Sequence, residues 1–92
     1  MSAPELTAAM AGKIADDAIT QAALMAGFSM PRAGRHIAEG LASLLVYEDG
    51  QLSPMQERER LNAARRLAVA WDELVAKDEA RTAAAESWGA EA

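Results

Sequence analysis

The run Ser53-Pro54-Met55-Gln56, with no further proline to the end of the chain, constrains the fold more than any other feature. A serine that can accept from the backbone, a proline at the first helical position and a glutamine three residues after the serine together specify a helix N-terminus. The segment it opens keeps a helical period. Leu61, Ala64, Ala68, Trp71 and Val75 form a heptad-like seam, which Leu67 and Leu74 widen. Glu57, Arg58, Glu59, Arg60, Arg65, Arg66, Asp72, Glu73, Lys77 and Asp78 occupy the other faces. Opposite charges three or four apart among them add small increments of helix stability. This helix is expected to run to about Ala85. From Thr82 to Ala92 the apolar period is lost and the chain is expected to fray, leaving residues 1–81 as a single domain.

The earlier part of the chain reads as helix too. Ser2-Ala3-Pro4-Glu5 fits a capping box, and Leu6, Met10 and Ile14 recur every four residues behind it. Asp16 and Asp17 either end this helix or lie within a continuous one from Ala3 to Ala26. Gly27 is expected in the left-handed C′ position, with Ser29 as the next N-cap and Pro31 in the following first turn. The helix after Ser29 carries Ala33, Ile37, Leu41, Leu44 and Leu45 on one side, and Glu48 to Ser53 forms a turn. Alanine is abundant and aromatic residues make up only 4% of the sequence, a composition that favours helix over strand. The expected fold is all-α: a small bundle of three to five helices with a helix-turn-helix-like corner and a long C-terminal helix. Its expected core is Leu6, Met10, Ile14, Ala22, Met25, Phe28, Ile37, Leu41, Leu44, Leu61, Leu67, Trp71 and Leu74.

Chemistry is sparsely provided for. The chain has no cysteine and one histidine, which excludes disulfides and thiolate metal sites and removes most zinc and His-dependent hydrolase arrangements. Asp16 and Asp17 are adjacent, so a helix points them about 100° apart rather than into one site. Ser29 and Ser53 are occupied as caps, and no glycine-rich phosphate loop or carboxylate cage is present. A non-enzymatic protein with no metal and no cofactor is expected. No run approaches the length of a membrane span and no secretory start is recognisable, so a cytoplasmic protein is the expectation.

The segment Gly27-Phe28-Ser29-Met30-Pro31-Arg32-Ala33-Gly34-Arg35-His36-Ile37 resembles the corner and second helix of TetR-type regulators. It is also similar to the N-terminal motif of small terminase subunits, where a Thr-Gln-Ala-Ala run like Thr20 to Ala23 precedes a Gly-aromatic-Ser corner. The resemblance covers about a fifth of the chain. It implies a DNA-binding element in which Arg32, Arg35 and His36, with Lys13 nearby, touch phosphates or base edges. Gly34 would then let the helix lie close to the nucleic-acid backbone. The sequence departs from the pattern at Ala33, where a branched apolar residue is expected, and at Gly34, where an aromatic or polar one is.

Charge sets a condition on that expectation. Residues 1–47 carry three basic and four acidic side chains and residues 48–92 carry six and ten, for a net charge of −5. Non-specific phosphate binding draws on clustered Lys and Arg. So few basic groups would need multiplying in a homo-oligomer built on the Pro54–Ala85 helix. The alternative is an acidic, helical inhibitor or adaptor, of the kind phages and mobile elements use, that blocks a protein target. Its contacts would be Leu61, Ala64, Ala68, Trp71, Val75 and Trp88.

Overall fold

The computed structural model describes residues 6–47 and 52–91 and contains three helices: α1 (Ala8–Ala26), α2 (Met30–Leu45) and α3 (Pro54–Glu91). There is no strand among the described residues. The all-α fold and the long C-terminal helix agree with the sequence.

Local chemistry accounts for most helix ends. The Thr7 hydroxyl accepts from the Met10 N–H at 3.1 Å and caps α1. The Ser2–Glu5 capping box lies outside the described residues. The helix then runs unbroken through Asp16 and Asp17 to Ala26, but it starts at Ala8 and not at Ala3, because the Thr7 cap sets its first turn. Ser29 caps α2 by accepting from the Arg32 N–H at 3.4 Å, with Pro31 in the first turn. At α3 the capping box is closed on both sides. The Ser53 N–H donates to Gln56 Oε1 at 2.8 Å, and the Gln56 N–H donates to Ser53 Oγ at 3.2 Å.

Two further ends differ from expectation. Gly27 is not left-handed; its φ is −71° and its ψ is −17°. The Met25 carbonyl instead accepts from both Phe28 N–H at 2.8 Å and Ser29 N–H at 2.7 Å, so the corner closes by a tightened right-handed turn. The second difference is α3, which continues past Ala85 to Glu91. Alanine at 76, 80 and 83–85 gives the approach to this stretch high intrinsic helicity without an apolar period, and the last turns propagate from it.

The helices form an up-down-up bundle, and the contacts give the directions. Gly40 meets Leu67 and Gly34 meets Trp71, so α2 runs antiparallel to α3. Asp16 pairs with Arg66, and Ile19 lines a depression with Val69, Ala70 and Glu73, so α1 runs parallel to α3. The transverse extents are 19 × 19 Å. That is shorter than α1 or α2, at roughly 28 and 24 Å from their residue counts, so both lie along the long axis. The corner at residues 27–29 therefore joins two antiparallel helices, where a DNA-binding helix-turn-helix crosses at about 90–120°.

Small residues hold the bundle together. The inward side of α1 is Ala11, Ala15, Ala18, Ala22 and Ala26; that of α2 is Ala33, Ile37, Gly40 and Leu44. On α3 it is Ala63, Leu67 and Ala70. At the crossing of all three helices a Cβ on Gly40 would stand 2.7 Å from the Ala18 Cβ and 3.2 Å from Leu67 Cδ1. Nothing larger than hydrogen fits there. Of the expected core, Leu6, Ala22, Ile37, Leu44 and Leu67 are buried, and Ile14, Met25, Leu41, Trp71 and Leu74 are half-buried against it. Three assignments are corrected: Met10 is 43% exposed, Leu61 50% and Phe28 86%. The physical reason is that close helix approach selects the alanine faces, about 100° from the stripe of larger side chains on α1. Phe28 lies beyond the end of α1, at the corner, where its side chain is left exposed.

Candidate interaction surface

Among the described residues there is no buried polar or charged side chain and no group of three or more His, Asp or Glu placed to hold a metal. No helix among them is long and apolar enough to cross a membrane. The features open to a partner are surface side chains, and they fall into three groups.

The first is the basic set near the corner. Arg32 and Arg35 are exposed on the outer side of α2, and neither takes part in an ion pair among the described residues. His36 is turned toward α1. Its Nδ1 lies 3.6 Å from Glu39 Oε2, and it shares a shallow depression with Asp17, Gln21 and Ser43. Lys13 falls two residues from both Ala11 and Ala15, which point inward, so it projects from the far side of α1. The structure thus brings Arg32 and Arg35 together, places His36 beside acidic neighbours and leaves Lys13 apart. Gly34 is turned toward α3. A Cβ there would lie 3.1 Å from Trp71 Cη2, so the glycine makes room for the indole of α3.

The second is an apolar groove of about 530 Å³ between the end of α2 and the start of α3. Leu41, Leu44, Leu45, Leu61 and Ala64 form its walls, with Glu57, Arg58 and Arg60 at the rim. Arg60 is committed to structure. It donates to the Tyr47 carbonyl at 2.7 Å and to both Glu57 carboxylate oxygens at 2.7 and 2.6 Å, tying the end of α2 to α3. Arg58 is exposed and has no such engagement among the described residues.

The third is the length of α3 beyond the bundle. Matching Asp16 with Arg66 and Ile19 with Val69–Ala70 puts the end of α1 level with about residue 76 of α3. From Glu79 to Trp88 every residue is exposed, and Trp88 itself is 78% exposed. The proposed contact residues therefore divide. Trp71 is half-buried over Gly34 and belongs to the fold. Ala64 and Val75 are half-buried, Leu61 and Ala68 are exposed on the outer side, and Trp88 stands free on the projecting helix. Comparison with protein-family models, with curated proteins and with solved structures returned no match.

Proposed function

We propose that this chain is a non-enzymatic interaction protein that captures a protein partner with the projecting half of α3. One observation carries the reading: ten consecutive exposed residues, Glu79 to Trp88, extend a helix past the bundle that supports it and end in an unpacked tryptophan. Tryptophan is the side chain whose burial most often anchors a protein interface. On the helical wheel Trp88 lies on the same side as Ala63, Leu67 and Ala70, the side over which α1 and α2 pack lower down. A partner seated there would continue the bundle, with Phe28 at the corner as a second apolar contact.

A second reading, binding of nucleic acid by α2, is favoured by the exposure of Arg32 and Arg35 without ion-pair partners among the described residues. Against it stand the antiparallel corner, the acidic neighbours of His36 and the net charge of −5. Affinity capture with wild type, Trp88→Ala and Arg32→Ala/Arg35→Ala separates the two. The interaction reading expects a protein retained by wild type and the arginine double variant and lost from Trp88→Ala. Recovery of nucleic acid that falls with salt and with the arginine double variant, but not with Trp88→Ala, would decide for the second reading.

A further inference from the structure

The outward side of α3 carries a charge pattern that nothing in the bundle uses. Arg58, Arg65, Asp72, Glu79 and Glu86 follow one another at intervals of seven residues. Seven residues advance the helix by 20° less than two turns, so these five lie in one slowly drifting line. All five are exposed, and none takes part in an ion pair among the described residues. The line is basic at its N-terminal end and acidic along the rest. Beside it runs a second heptad line, Leu61, Ala68 and Val75, of which Leu61 is 50% exposed and Ala68 is exposed. A narrow apolar seam flanked by sorted charge is the surface of a coiled-coil strand.

The whole of α3 shows the same sorting. Residues 54–71 hold Arg58, Arg60, Arg65 and Arg66 against Glu57 and Glu59, while residues 72–91 hold Lys77 and Arg81 against six carboxylates. This adds to the helix dipole, positive at the N-terminus and negative at the C-terminus, where ordinary helix design opposes it. A single α3 is therefore electrostatically ill-matched to itself.

We infer that two copies of the chain associate through this outward face with their α3 helices antiparallel. That orientation sets Arg58 and Arg65 of one copy against the acidic stretch of the other, twice by symmetry, and opposes the two dipoles. A parallel pair would set arginines against arginines and carboxylates against carboxylates. The size is adequate for a weak dimer. α3 has 38 residues and so spans roughly 57 Å, and a strip about 10 Å wide on each copy buries roughly 1,100 Å² in total. That is at the lower edge of specific interfaces, so a micromolar, salt-sensitive dimer is expected. Trp88 lies on the opposite side of the helix and stays open in the dimer, so this inference and the partner-capture reading stand or fall separately.

Sedimentation equilibrium of the full chain at about 0.1 and 0.5 M salt gives the first test, and a dimer weakened by salt is expected. A monomer at hundreds of micromolar in low salt would overturn the inference. Arg58→Glu/Arg65→Glu should weaken association about tenfold or more, and Glu79→Arg/Glu86→Arg likewise. Mixing the two variants should restore dimers of mixed composition. All substituted side chains are exposed, and unchanged circular dichroism of each variant confirms that it folds. Association that ignores both substitutions places the interface elsewhere and refutes this one. Orientation is read from the cysteine-free background with pyrene on Asn62→Cys and on Ser87→Cys. Excimer emission only when the two labelled chains are mixed supports the antiparallel pair, and excimer from either label alone would overturn it.

Discussion

Between Ala63 and Leu74, α3 presses a side of Ala63, Leu67 and Ala70 against two other helices, whereas between Glu79 and Trp88 every residue is exposed. Both stretches are continuous α-helix. In the lower half the helix is held by burial, and its sequence follows the inward seam. In the upper half no burial is available, and alanine content supplies the helicity residue by residue. Starting a helix is the costly event, and an isolated segment this short would be marginal in water. Here the packed half provides the nucleus, so the projecting half need only propagate from it. A helix can thus be extended beyond its core without a second core, provided its residues are intrinsically good helix formers.

The largest effect that would break this contrast is expected at Leu67, which is fully buried and in contact with the Gly40 crossing. Leu67→Ala should cost about 2–5 kcal/mol in urea unfolding, since the alanine-lined neighbours have no side chains long enough to fill the void. A loss below about 1 kcal/mol would mean the packed half is not held by this seam. Next is Gly40→Ala. The change improves helix propensity by about 1 kcal/mol, but the added methyl would sit 2.7 Å from the Ala18 Cβ. That carbon is fixed to a helix backbone and cannot swing aside, so α1 and α2 must move apart. Overpacking wins, and a net loss of about 1–2 kcal/mol is expected by the same measurement. An equal or higher midpoint would show that the crossing has slack.

How far these contacts were legible in the sequence depended on which chemistry set them. Ser53, Gln56, Ser29 and the α2 face of Ala33, Ile37 and Leu44 were readable because caps and a mixed-size stripe leave a periodic trace. On the inward face of α1 only Ala22 was legible. Alanine occurs on every side of that helix, so hydrophobicity pointed to Met10 and Phe28, while the packing distance selected Ala11, Ala15 and Ala18. Gly34 shows the same limit: a glycine marks close approach but not to what, and only the fold identifies Trp71. The candidate surface divided likewise. Leu61 and Ala68 stand out in the heptad pattern, whereas Trp88 lies beyond its end and stands out only as a large aromatic side chain. The charged line through Arg58, Arg65, Asp72, Glu79 and Glu86 is visible at seven-residue spacing, but it gains meaning only once the opposite side of α3 is seen to be filled.

The smallest expected effect tests the projecting half most sharply. Ending the chain after Asp78 removes the exposed run from Glu79 through Trp88 together with the residues that follow it. If that half is held by propensity alone, its removal takes away helix but no tertiary contact. Measured at about 1 µM chain and 0.5 M salt, where association through exposed charges is screened, the unfolding free energy from urea should stay within about 0.5 kcal/mol of full length. The helical circular-dichroism signal per molecule should nevertheless fall, because the lost segment was helical. The two readouts move together in the alternative case. An unfolding free energy lowered by more than about 1 kcal/mol would mean the upper half folds back onto the bundle, with Trp88 buried against Phe28 at the corner, and the contrast between the two halves of α3 would be lost. Tryptophan emission gives an independent check, because Trp71 is half-buried and Trp88 is exposed. The full-length chain should emit further to the red than the truncated one, and an equal or bluer full-length spectrum would place Trp88 in an apolar contact.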